Sequence, residues 1–151
     1  MNEGVLLIEL SRKSIAFWGR LKDADPVPIS HGEGHDVPLV FRVDDGGVHV
    51  GPLAARMLAN NERERAHGDY FGLAHSSTKV RLHGTEQPAG LLLFEAAERY
   101  AEVFLRDHLR GAEALSASRK DLRLRFAFAP DLDANDRALV IALFNKGGYQ
   151  D

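Results

Sequence analysis

The chain has 151 residues, 44% of them hydrophobic and 27% charged, with a net charge of −3; this is the profile of one ordinary globular domain, without a field that would draw nucleic acid or an anionic membrane. It has no cysteine, which excludes disulfides and thiolate metal sites. Its apolar runs fall far short of the ~20 residues of a membrane span, and Glu3 and Glu9 flank and interrupt the apolar start that a signal peptide would need, so the expected address is cytoplasmic.

Val5 to Leu10 is a short apolar run, suited to a strand buried on both faces. Ser11-Arg12-Lys13-Ser14 then turns the chain into a second strand, Ser14 to Leu21, with Ile15, Phe17 and Leu21 on one face and Ala16 and Trp18 offset. The proline- and glycine-rich stretch that follows predicts a loop around one brief strand, Val27 to Ile29. Leu39–Val43 and Val48–Val50 read as a hairpin turned by Asp45-Gly46. Pro52 opens a helix carried by Leu53, Arg56, Met57 and Asn60. Residues 67–90 show no clear period.

Leu91 to Leu109 reads as a long helix with Leu92, Ala96, Tyr100, Val103 and Leu109 near one stripe. In the strand that follows, Leu122, Leu124, Phe126 and Phe128 point one way, Arg123 and Arg125 the other. Asp133 is expected to cap a last helix together with Asp136, an acidic form of the capping box, and Gly147-Gly148 to end it. The order predicts an α/β fold: a mainly antiparallel sheet, then a helical crossover to a strand pairing parallel with the first. That is the order of a ribonuclease H-like lobe, with helices packed on a mixed sheet.

Several groups invite a chemical reading. His31, His35 and Asp36 have a spacing that grips a metal on a helix, but glycines between them favour a polar loop. His67, Asp69, His75 and Ser76 are the ingredients of a nucleophilic triad, without the G-x-S-x-G turn that presents a nucleophile. Glu9 with Asp131 and Asp133 could begin a two-metal nuclease site, although the capping role competes for Asp133. Arg119, Lys120, Arg123 and Arg125 form the one basic cluster, which as alternate residues of a strand is the wet face or a face that a missing lobe covers.

Four stretches together resemble the N-terminal lobe of the nucleotide-binding domain of seventy-kilodalton heat-shock chaperones, in the actin, chaperone and sugar-kinase ATPase superfamily. "LIELSRKSIAF" resembles the strand, phosphate loop (I-D-L-G-T-T-N-S) and returning strand; "VPLVFRVDDGGVHVGPLAARMLANN" resembles T-P-S-V-V, a hairpin and V-G-x-x-A-K-x-Q. The helix from Leu91 and "LRFAFAPDLDANDRALVIALFNKGGY" resemble the family's next helix and its V-T-V-P-A-x-F-x-x-x-Q-R segment. The resemblance implies an actin-like ATPase lobe spanning residues 1–151, a fragment of a longer chain whose second lobe would follow Gly148, with ATP and Mg²⁺ as cofactors.

By position, Glu9 would hold Mg²⁺ through water as the catalytic carboxylate, and Ser11, Arg12 and Lys13 would meet phosphate. The family's catalytic lysine falls on Ala55, with Arg56 beside it. The departures are a serine in place of the loop glycine, two cations in place of the threonines, and a loop about one residue short. The implied partners are a second lobe or a client protein, not nucleic acid or membrane. The alternative expectation is a non-catalytic protein-interaction module that keeps the lobe as scaffold.

Overall fold

The computed structural model describes residues 4–21, 24–29, 34–44, 47–62, 65–108 and 122–146. Strands β1 (Gly4–Leu10) and β2 (Ser14–Arg20) form an antiparallel hairpin, Leu10 facing Ile15 across the Ser11–Ser14 turn. Two short strands share the far edge of β2: β3 (Val27–Ile29) pairs with Phe17–Gly19, and β4 (Asp36–Pro38) with Ser14–Ala16. A hairpin of β5 (Phe41–Asp44) and β6 (Gly47–Val50) follows, and Gly51, at φ 142°, turns the chain into α1 (Pro52–Ala59). An L-residue is strained there, which accounts for a glycine ahead of Pro52.

Next come β7 (Ala66–His67), which joins β5, the short α2 (Tyr70–His75), the hairpin of β8 (Lys79–Leu82) and β9 (Thr85–Pro88), and α3 (Leu91–His108). The described chain ends with β10 (Leu122–Phe128) and α4 (Ala134–Lys146). β10 lies parallel to β1, from Gly4 opposite Leu122 to Leu10 opposite Phe128, so the main sheet runs β10-β1-β2-β3. The fold is α/β with a mixed sheet, and the crossover strand pairs where the sequence predicts.

One face of that sheet is the core. Leu6, Ile8 and Leu10 on β1, Ile15 and Phe17 on β2, and Leu122 and Leu124 on β10 are all buried. α3 lies across this face: the Tyr100 ring stacks on Phe17 with centroids 4.1 Å apart, and Phe104 sits against Gly19, where a Cβ would run into its ring. α4 closes the other end, Phe144 meeting Phe126 edge to face at 5.2 Å.

The opposite face differs from expectation. β1 reads in the sequence as buried on both faces, yet Val5 and Leu7 are half-buried and Glu9 is exposed, because no helix comparable to α3 covers them among the described residues. The first hairpin strand begins at Phe41 rather than Leu39, since Val40 and Leu39 bond to Gly51 and to the Lys13 carbonyl instead of to β6. The buried stripe of α3 is also wider than predicted and takes in Leu93, Ala97, Ala101, Phe104 and Leu105. Residues 67–90, unreadable in the sequence, hold a helical turn and a hairpin. The Asp45-Gly46 turn, the end of the long helix at Leu109 and the Gly147-Gly148 stop lie outside the described residues.

Candidate functional site

Because β1 and β10 are parallel neighbours, their C-terminal ends lie side by side, and the turn after one meets the turn after the other. Ser11–Ser14 therefore faces Asp131 and the N-terminus of α4. The Ser11 amide donates to the Ser14 carbonyl at 3.0 Å, and the Ser11 hydroxyl oxygen accepts from the amides of Ser14 at 2.9 Å and Lys13 at 3.3 Å. The remaining amide, that of Arg12, donates to both carboxylate oxygens of Asp131 at 3.3 Å. Every backbone donor of the turn is thus engaged within the protein.

The Arg12 side chain is engaged too. Its guanidinium pairs with the carboxylate of Asp136 and lies over the Phe71 ring, 5.4 Å from the centroid. His75, at the end of α2, donates from Nε2 to the other Asp136 oxygen at 2.8 Å. The expected capping box is present and reciprocal: the Asp136 amide donates to Asp133 Oδ1 at 2.9 Å, and the Asp133 amide to Asp136 Oδ2 at 3.2 Å. Burial pushes the Asp136 carboxyl up, but the hydrogen bonds from His75 and the Asp133 amide and the charge of Arg12 outweigh it and hold it below the ordinary 3.8.

Two open hollows flank this turn. One, of about 680 Å³, is bordered by Arg12, Phe71, His75, Asp133 and Asp136. The other, of about 450 Å³, is bordered by Glu9, Ser11, Ser14, Trp18, His35 and Asp36. Glu9 accepts from the Trp18 indole N–H. The structure therefore gathers Glu9 and Ser11 in one hollow and turns Arg12 into the other; Lys13 is exposed, and Arg56 stands exposed on α1, bordering neither.

Other candidates disperse. His35 bonds the Phe17 carbonyl at 3.0 Å and sits edge-on to Trp18, Asp36 is part of β4, and His31 lies outside the described residues. His75 pairs with Asp136 rather than Asp69, and Ser76 donates to the Leu73 carbonyl, so no nucleophilic relay forms. His67 keeps a buried Nε2 without a hydrogen-bond partner, and burial lowers its pKa. Glu9 and Asp133 border different hollows, and among the described residues no three His, Asp or Glu side chains stand together as metal ligands. Arg123 and Arg125 are exposed, while Arg119 and Lys120 fall outside the described residues.

Sequence reading finds Asp136 only as a cap. Its bond to Arg12 depends on the parallel pairing, which sets the Ser11–Ser14 turn beside the first turn of α4, and its bond to His75 on the placement of the end of α2 there. No described helix is long and apolar enough to cross a membrane. Compared with known protein families and curated proteins, the chain matches neither a family model nor a curated sequence.

Proposed function

We propose that the chain is a lobe of the actin-like ATPase type, akin to that of seventy-kilodalton heat-shock chaperones, which serves as a non-catalytic scaffold for protein contact. The sheet order, with β1 antiparallel to β2 and parallel to β10, is compatible with the ribonuclease H-like part of this reading. The observation that carries the non-catalytic part is the state of the Ser11–Ser14 turn.

A phosphate-binding turn offers unengaged amides and cations to its ligand. Here Ser11, Lys13 and Ser14 amides close on the turn itself, the Arg12 amide holds Asp131, and the Arg12 guanidinium holds Asp136. Two carboxylates thus stand where an oxyanion would have to come. ATP with Mg²⁺ does not fit the turn in this arrangement. Calorimetric titration of the chain with ATP and Mg²⁺ is expected to give no heat at millimolar ligand; a saturable isotherm would overturn the reading.

A second reading rests on the hollow beside Glu9, Ser11 and Ser14, whose volume of about 450 Å³ suits a small polar ligand. In it, nucleotide is held between this lobe and a second one. The same titration on a two-lobe protein distinguishes it: binding that Glu9→Ala removes supports this alternative.

A further inference from the structure

The sheet face turned away from α3 and α4 has a composition of its own. The strand register sets Val5 beside Arg20 and Arg123, and Leu7 beside Trp18 and Arg125, all on that face. Val5, Leu7 and Trp18 are half-buried and stand outside the main core cluster of the described residues. Along the β10 margin, Arg123, Arg125 and Ala127 are exposed. A parallel pair such as β1 and β10 is ordinarily covered on both faces, and here one cover is α3 with α4. Among the described residues the other face is an apolar strip with a cationic margin. Its described carboxylates, Glu9 and Asp36, lie together at the far end, away from Arg123 and Arg125, and Glu9 is bonded to the Trp18 indole.

From this arrangement we infer that the open face docks an acidic amphipathic helix of a partner protein, its apolar side on Val5, Leu7 and Trp18 and its carboxylates on Arg123 and Arg125. The inference deepens the scaffold reading and rests on it for the idea that the lobe acts through contact. Charge selects the occupant. Arg125 spends one donor on the Leu124 carbonyl at 3.1 Å and has others for a carboxylate. A second copy packed with β10 over β10 would bring these arginines against their own kind, which disfavours that self-association. A helix suits the geometry because a helix covers the mirror position on the other face.

Trp18 is the only tryptophan in the chain, so its emission reports directly on this face. The probe is a synthetic amphipathic helix of about 15 residues, long enough at ~1.5 Å per residue to span the strands, with leucines on one side and glutamates flanking them; a lysine-flanked copy is the control. Saturable blue shift with the glutamate helix alone supports the inference. R123E/R125E is expected to weaken that binding at least about tenfold and to admit the lysine helix instead; R123A/R125A, which adds no charge, is expected to weaken the first without admitting the second.

An unmoved Trp18 spectrum at millimolar glutamate helix overturns the inference, as does an equal response to the lysine helix. A blue shift only with vesicles of phosphatidylserine and phosphatidylcholine overturns it in favour of a membrane, and one that follows protein concentration overturns it in favour of a second copy. Because ATP titration reads the turn and peptide titration reads the sheet face, failure of one is distinguishable from failure of the other.

Discussion

Asp136 is only 2% exposed, and it is ionised in the fold because Arg12, His75 and the Asp133 amide converge on its two oxygens. Asp136→Ala removes a cap and leaves Arg12 and His75 without their carboxylate. Both partners are partly solvated, so the expected loss is about 2 kcal/mol rather than the larger cost of breaking a fully buried pair. Asp133→Ala, which removes only the cap to the Asp136 amide, is expected to cost about 1 kcal/mol; urea midpoints at neutral pH compare the two. Since the Asp136 carboxyl is held below 3.8, its contribution is complete above that value and is lost as pH falls through the lowered one. The histidines act earlier. Burial lowers His67 and, with Arg42 and Arg99 outweighing Asp44, also His49 from the ordinary 6.5. On acidification the unfolded chain therefore takes up these protons first, and stability declines as pH falls below 6.5. The urea midpoint should drop between about pH 7 and about pH 5, and His67→Gln should flatten part of that slope; an unchanged slope assigns the effect elsewhere. Composition carries no hint of the Asp136 network, because Arg12, His75 and Asp136 come from separate elements.

Gly19 and Phe104 show how one missing side chain seats an element. α3 reaches β2 closely because Gly19 presents no Cβ to the Phe104 ring. Gly19→Ala pushes α3 off the sheet or forces Phe104 from its rotamer, for an expected loss of about 2–3 kcal/mol. Combined with Phe104→Leu the two losses should be less than additive, and a thermal-denaturation double-mutant cycle measures the coupling; strict additivity would place the strain elsewhere. Among the elements, those with a sustained signal are legible: β1, β2, β10, α3 and the capped start of α4 lie where an apolar run, β-forming residues, alternation, helical spacing and Asp133 put them. The stretch from β7 to β9 is not, for two physical reasons. Its elements run from two to six residues, too short to show a period. Asp69, Ser77 and His83 also adopt left-handed φ values of 47°, 59° and 52°, conformations that glycine would have announced. The candidate site is half legible. Glu9 and Ser11 do share a hollow, but Arg12 turns from it because the Asp136 that claims its charge lies more than a hundred residues away in the chain.

At the scale of the molecule a single apolar cluster joins the main sheet, the β5–β6 hairpin, the β8 strand and α3 with α4. One core predicts one cooperative transition, so Trp18 emission and far-UV circular dichroism should melt with the same midpoint; two separated midpoints would mean that the β1–β2 region unfolds alone. The order in which this core is completed has a further consequence. β1 needs β10, and the ribosome delivers Leu122 long after Gly4. At roughly 5–20 residues per second the nascent β1–β2 hairpin waits on the order of ten seconds for its parallel neighbour. Until α3 emerges, Leu6, Ile8 and Phe17, all wholly buried once folding ends, have no cover, and until β10 follows the bare margin of β1 is a template for any extended chain nearby. Folding yield in the cell should therefore follow the supply of factors that shield newly made polypeptide more closely than it follows the equilibrium stability of the finished domain.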